Sequence, residues 1–131
     1  MSQENVQVVR DFFEAWNAGD MPAVRELHDP NVIQRPPEGW PEPGPFVGRD
    51  AVMRQYEQLR AAWDTDVLEP IGDFIDAGDR VLVSHSWHAT GRGPESRAEF
   101  TGIWTIRQGL IFHQEFFRTR AEALKAVGLE E

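Results

Sequence analysis

The chain has 131 residues, a length that suits one domain with a real core and no need of disulfides or metal. It contains no cysteine, which excludes a disulfide framework, a thiol nucleophile and a thiolate metal site. Its 13 basic and 22 acidic residues leave a net charge of -9, which argues against a nucleic-acid partner and for a well-solvated acidic surface.

The first residues, MSQENVQVVRDFF, lack the basic start and apolar run of a secretory leader. No stretch approaches the roughly 20 apolar residues of a membrane span, so a soluble, cytoplasmic protein is expected. Val6, Val9, Phe13 and Trp16 recur at helical spacing and Phe12 widens the stripe, which predicts a helix from Gln3 to Ala18. Gly19 suits its end, and Asp20 can cap a second short helix with Pro22 in its first turn. Asp29-Pro30 should stop that helix near His28, and Asn31 to Arg35 reads as a strand.

The segment PPEGWPEPGPF holds five prolines and two glycines in eleven residues, so it is neither helix nor central strand. It reads as a semi-rigid loop over a cavity mouth, anchored by Trp40 and Phe46. A third helix, Asp50 to Trp63, places Val52, Tyr56, Leu59 and Trp63 on one face. The period then changes to two. Val67 to Asp76 is broken by Pro70 and Gly72 and reads as one edge strand or two short ones. Arg80 to Thr90, Arg97 to Arg107 and Leu110 to Thr119 are long strands, joined by turns at Gly91-Arg92-Gly93-Pro94 and Gln108-Gly109. Arg120 to Val127 closes with a short helix ended by Gly128. Helices first and meandering strands afterwards spell an α+β fold in a single domain, residues 1–131.

The signatures FFEAWNAGD, GWPEPGPFVGRDAV, FIDAGDRVLV and FRTRAEALKAVGL resemble the SnoaL-like branch of the nuclear transport factor 2-like superfamily, to which ketosteroid isomerases and polyketide cyclases belong. The resemblance implies a cone-shaped, cystatin-like fold. A strongly curved, mainly antiparallel sheet would wrap with three N-terminal helices around a pocket, followed by a short C-terminal helix. It also implies which alternating set of each strand faces inward. On that mapping the pocket holds Phe12, Trp16, Ile33, Arg35, Tyr56, Leu82, Ser84, Ser86, His88, Phe100, Gly102, Trp104, Gln114, Phe116 and Arg118, with Trp40 above. The opposite set, His85, Trp87, Ile103, His113 and Phe117, would form a homodimer surface, since Trp87, Ile103 and Phe117 need cover.

The three groups of ketosteroid isomerases fall, position by position, on Phe12, Arg35 and Gly102, so the phenol, the base and the acid are all missing. Limonene-epoxide-hydrolase-like relatives need an Asp-Arg-Asp group, and no Asp pair sits on the strands expected to line the pocket. Polyketide cyclases of this branch move protons with an Asp and a His, which makes His88 the candidate proton carrier. Arg35, Trp40, Tyr56, Ser84, Ser86, Trp104, Gln114 and Arg118 are the candidate substrate-binding residues. They suit a small hydrophobic or aromatic ligand, anionic or carbonyl-bearing, because a guanidinium matches carboxylates and enolates. The expected function is an isomerase- or cyclase-like proton transfer, with a non-catalytic binder or a dimeric interaction domain as alternatives. His85, Glu99, His113 and Glu115 read as cross-strand polar neighbours rather than metal ligands. No metal or cofactor is expected.

Overall fold

The computed structural model describes residues 2–91 and 93–129. Met1, Arg92, Glu130 and Glu131 lie outside the described residues, and with Arg92 goes the middle of the expected Gly91–Pro94 turn. Helices α1 (Ser2–Asn17) and α2 (Met21–Glu26) precede strand β1 (His28–Arg35). Strand β2 (Phe46–Val47) and helix α3 (Arg49–Ala61) follow the proline-rich loop. Then come β3 (Thr65–Pro70), β4 (Ile75–Ala77), β5 (Arg80–Thr90), β6 (Ser96–Arg107), β7 (Leu110–Phe117) and helix α4 (Arg120–Ala126).

The seven strands form one sheet in the order β2-β1-β7-β6-β5-β3, with β4 also paired to β5. Every pairing is antiparallel except β1 with β7. This is the α+β fold with a curved, mainly antiparallel sheet that the sequence implied. No described helix is long and apolar enough to cross a membrane.

Local chemistry places the boundaries. Gly19, at φ +72, takes the left-handed turn that closes α1, and the Asp20 carboxylate accepts from the Ala23 amide at 3.1 Å to start α2. Thr119 caps α4 by accepting from the Glu122 amide at 3.2 Å, so β7 stops at Phe117 and not at Thr119 as expected. β1 begins three residues earlier than expected, at His28. Its register with β7 shifts between His28 and Ile33, and that irregularity accommodates Pro30, which cannot donate to a ladder.

The main core lies between α1, α3 and the concave face of the sheet. Val9, Phe12, Phe13 and Trp16 of α1 and Val52, Met53 and Tyr56 of α3 are buried there against Val81, Val83 and Trp104. On the convex face, α4 lays Ala123 and Leu124 over Leu82 and Ile103, with Phe117 packed at the edge. Two of the residues expected to need a second subunit, Ile103 and Phe117, are therefore covered within the chain. The third, Trp87, is on the concave face.

Beneath the core edge sits a buried carboxylate, Asp66. Its Oδ2 accepts from the indole nitrogens of Trp16 at 3.1 Å and Trp87 at 3.0 Å. Its Oδ1 meets the Arg60 guanidinium at 3.1 Å, and that guanidinium also donates to the Trp16 carbonyl and lies 4.8 Å from the Trp16 ring centroid. Replacing Asp66 with Leu strands two indole donors and a cation in the interior. The expected cost is about 3–5 kcal/mol in urea unfolding, whereas an exposed control, Asp50→Leu, is expected to unfold close to the wild-type midpoint.

Candidate functional site

An apolar cavity of about 80 Å³ opens between α1, α3, the concave sheet face and the proline-rich loop. Phe12 and Trp16 come from α1, Gln55, Tyr56 and Leu59 from α3, and Gln34 from β1. The sheet supplies Leu68, His85, Trp87, Phe100, Trp104 and Phe116, and the loop supplies Pro36, Pro37 and Trp40. No acidic or basic side chain other than His85 is among these lining residues.

The placement of the expected site residues divides cleanly. Trp40, Tyr56 and Trp104 stand on the cavity wall, and Gln114 is fully buried directly behind Tyr56. Trp40 packs edge-on against Phe100 with centroids 5.9 Å apart, so the loop does cover the mouth. Arg35, Ser84, Ser86, His88 and Arg118 are elsewhere. Strand register explains four of them. β5 pairs with β6 so that His85 opposes Phe100 and Val83 opposes Gly102, and directly opposed residues share a face. Since Phe100 and Phe116 face the cavity, the set Val81, Val83, His85 and Trp87 does too, and Ser84, Ser86 and His88 project from the convex side. There Ser84 meets Thr101 at 2.8 Å, and the Ser86 hydroxyl meets His88 Nε2 at 2.8 Å, with Glu95 3.3 Å from His88 Nδ1.

The same parity corrects β1. Gln34 opposes Gln114 and faces inward, whereas Arg35 opposes Glu115 and donates to His113 Nε2 at 3.3 Å on the outside. Ile33 and Leu82 likewise leave the cavity set. Arg118 lies beyond the end of β7 and donates through Nε to the Glu38 carbonyl at 2.7 Å, which ties the loop to the sheet. Gly39 makes this approach possible: at φ +85, a Cβ there would stand 2.6 Å from Arg118 Nη2.

Sequence reading missed His85, Gln34 and Gln55 as cavity residues, and His28 as the buried histidine behind them. His85 is enclosed by the rings of Phe13, Phe100, Trp104 and Phe116, at centroid distances of 5.5, 6.2, 5.6 and 5.9 Å. Its Nδ1 lies 3.3 Å from the Val83 carbonyl oxygen and is the protonated nitrogen, so Nε2 is the acceptor. Burial pushes its pKa down to about 4. His28, behind the wall, is also held at about 4: burial lowers it most, the bond to the Val24 carbonyl raises it in part, and Arg49 lowers it further. Burial raises the Tyr56 phenol above its ordinary range. All three groups are neutral near pH 7.

Gly102 answers a further question raised by the sequence. A Cβ at Gly102 would lie 2.5 Å from the Trp104 ring, so that ring fills the space a side chain on this position would need.

With this geometry in view, the class is plain. The chain belongs to the SnoaL-like domain family, whose model matches residues 9–114. An NTF2-like protein of unknown function from Burkholderia pseudomallei is 25% identical, superposes with a TM-score of 0.77, and the match covers 95% of this chain and 97% of that one. TerC, co-crystallised with polyporic acid, is 21% identical with a TM-score of 0.76 over 95% of this chain and 98% of its own. A candidate polyketide cyclase from Xanthomonas campestris is 20% identical with a TM-score of 0.71 over 96% and 98%. Comparison with curated proteins by sequence gives no match.

The two buried histidines set a pH dependence. Each binds its proton at about 4 when folded and at 6.5 when ordinary, so between these values the unfolded chain holds more protons. Stability is then complete above about pH 6.5 and is lost as pH falls toward 4, by up to roughly 3 kcal/mol for each histidine. Urea unfolding of His85→Phe between pH 7 and about 4.5 is expected to show a shallower loss than wild type. Equal slopes would mean that His85 titrates normally in the fold.

Proposed function

We propose that the cavity binds a small, neutral aromatic or polyketide-like metabolite and that His85 moves a proton on it, an isomerase- or cyclase-like reaction. The observation that carries this reading is the neutral imidazole of His85 in an aromatic wall, with Nδ1 committed to the Val83 carbonyl and Nε2 left as a base. A base this weak removes only an acidic proton, such as the C–H between two carbonyls of a polyketide. The proton would pass from carbon to Nε2 and return to a different carbon or oxygen of the same molecule. The likeness of fold to a candidate polyketide cyclase and to TerC, which was co-crystallised with polyporic acid, supports a flat, oxygen-bearing ligand.

The uncharged walls speak against the anionic ligand that Arg35 and Arg118 had suggested. An anion entering this cavity would shed its hydration and meet no cation. At about 80 Å³ the cavity is smaller than the ~150 Å³ that admits benzene, so a ring enters as Trp40 swings off Phe100. Association of two chains through the convex face, where Val67 is exposed, remains part of the proposal. Sedimentation giving a monomer at all concentrations would remove it.

The decisive experiment is deuterium exchange at the central carbon of benzoylacetone, followed by NMR with wild type and His85→Phe. Wild type is expected to accelerate exchange about 10²–10⁴-fold, and the variant to lose this while still binding. Binding without exchange in either protein would leave a non-catalytic metabolite binder, the reading favoured by the low basicity of His85.

A further inference from the structure

Behind the cavity wall runs a chain of hydrogen bonds whose direction is fixed at one end. The Val24 carbonyl can only accept, and His28 Nδ1 lies 2.7 Å from it, so Nδ1 carries the proton and His28 Nε2 is an acceptor. Gln114 Nε2 stands 2.8 Å from that acceptor, which turns the Gln114 carboxamide so that its Oε1 faces the other way. That oxygen accepts from Gln34 Nε2 at 3.3 Å and from the Tyr56 hydroxyl at 2.9 Å, a hydroxyl that also stands 3.0 Å from His28 Nε2. Gln34 therefore has its nitrogen committed inward. Its own Oε1 is buried in a residue that lines the cavity and has no hydrogen-bond partner among the described residues. None of these amides can flip without setting two acceptors or two donors face to face. Gln55, across the cavity on α3, likewise has a buried Oε1 without a partner, and on the sheet wall the Trp104 indole Nε1 is a buried donor without one among the described residues.

From this polarity, and resting on the pocket reading above, we infer that the site selects a ligand bearing a neutral hydroxyl donor on an aromatic ring, a phenol, and that Gln34 Oε1 is the specificity-determining acceptor. A buried carbonyl oxygen left unpaired is costly, and a ligand O–H of the right reach removes that cost. A ketone, aldehyde or carboxylate at the same place would set acceptor against acceptor. An apolar ring would leave the oxygen unpaired.

Four probes of similar size separate the cases: para-cresol, para-xylene, para-tolualdehyde and para-toluate, titrated by ligand-observed NMR. In the wild type para-cresol is expected to bind about tenfold more tightly than para-xylene, with the aldehyde and the carboxylate weaker still. In Gln34→Leu that preference should fall to about one, because para-cresol loses affinity and para-xylene does not. Tyr56 still satisfies Gln114 Oε1 in this variant, and Gln34→Met serves if the leucine form does not fold. Equal binding of cresol and xylene by wild type, or a cresol preference that survives in the variant, overturns the donor selection and leaves the pocket reading standing. Tightest binding of the aldehyde or the carboxylate overturns the donor selection too. Failure of all four probes to bind overturns the pocket reading and this inference with it.

Discussion

One backbone carbonyl, that of Val24 at the end of the second helix, sets the polarity of the interior. A sheet wrapped around helices must bury whatever polar side chains fall on its concave face, and each such group has to be paired inside. Here the pairing runs from Val24 to His28, through a ring of His28, Gln114 and Tyr56 in mutual contact, and on to Gln34. Neutrality is a condition of this arrangement. A protonated His28 would offer a donor to Gln114 Nε2, and an ionised Tyr56 would face the Gln114 carbonyl. The burial that shifts both groups toward their neutral forms is thus what keeps the chain of bonds intact.

Asp66 does the complementary work on the other flank. One carboxylate oxygen holds two indoles in fixed orientation, and Arg60 balances its charge while covering the Trp16 ring. The indole nitrogens are spent on Asp66, so Trp16 and Trp87 present only their apolar surfaces to the cavity. The wall is consequently apolar on the Asp66 side and bears unpaired acceptors at Gln34 and Gln55 and an unpaired donor at Trp104. Under the proposed function, a ligand would meet that asymmetry as an orientation.

Much of the fold was legible because its signals are local. The apolar stripe of the first helix, the cap at Asp20, the glycine turns and the change from period 3.6 to period 2 each act within a few residues. Facing is not local. For the strand from Arg80 to Thr90 the two alternating sets are Val81, Val83, His85 and Trp87 against Leu82, Ser84, Ser86 and His88. Hydrophobicity alone favours burying the first set, and mapping by family position selected the second. The loop between Thr90 and Ser96 is not a two-residue turn, so its sequence does not fix the register, and a slip of one residue exchanges the sets. The family mapping therefore placed His88 in the pocket and His85 outside. Arg35 followed the same path. The helical members Phe12, Trp16 and Tyr56 escaped it because a helix stripe carries its own facing.

The exchange of His88 for His85 also changes the kind of chemistry the cavity can host. On the convex side, His88 sits beside Glu95 and Ser86 and within reach of solvent. In the cavity, His85 has four aromatic neighbours and no carboxylate among its described hydrogen-bond partners, so its cationic form is stabilised only by ring faces and the Val83 carbonyl. An imidazole in that setting is a poor resting place for a proton but a good relay for one. It accepts only from a donor that is already acidic and returns the proton quickly, because the ion pair it forms has nothing else to hold it. Under the proposed function, the uncharged wall and the weak base would favour the same substrate character: an oxygen-rich, enolisable or phenolic ring system that supplies its own acidity.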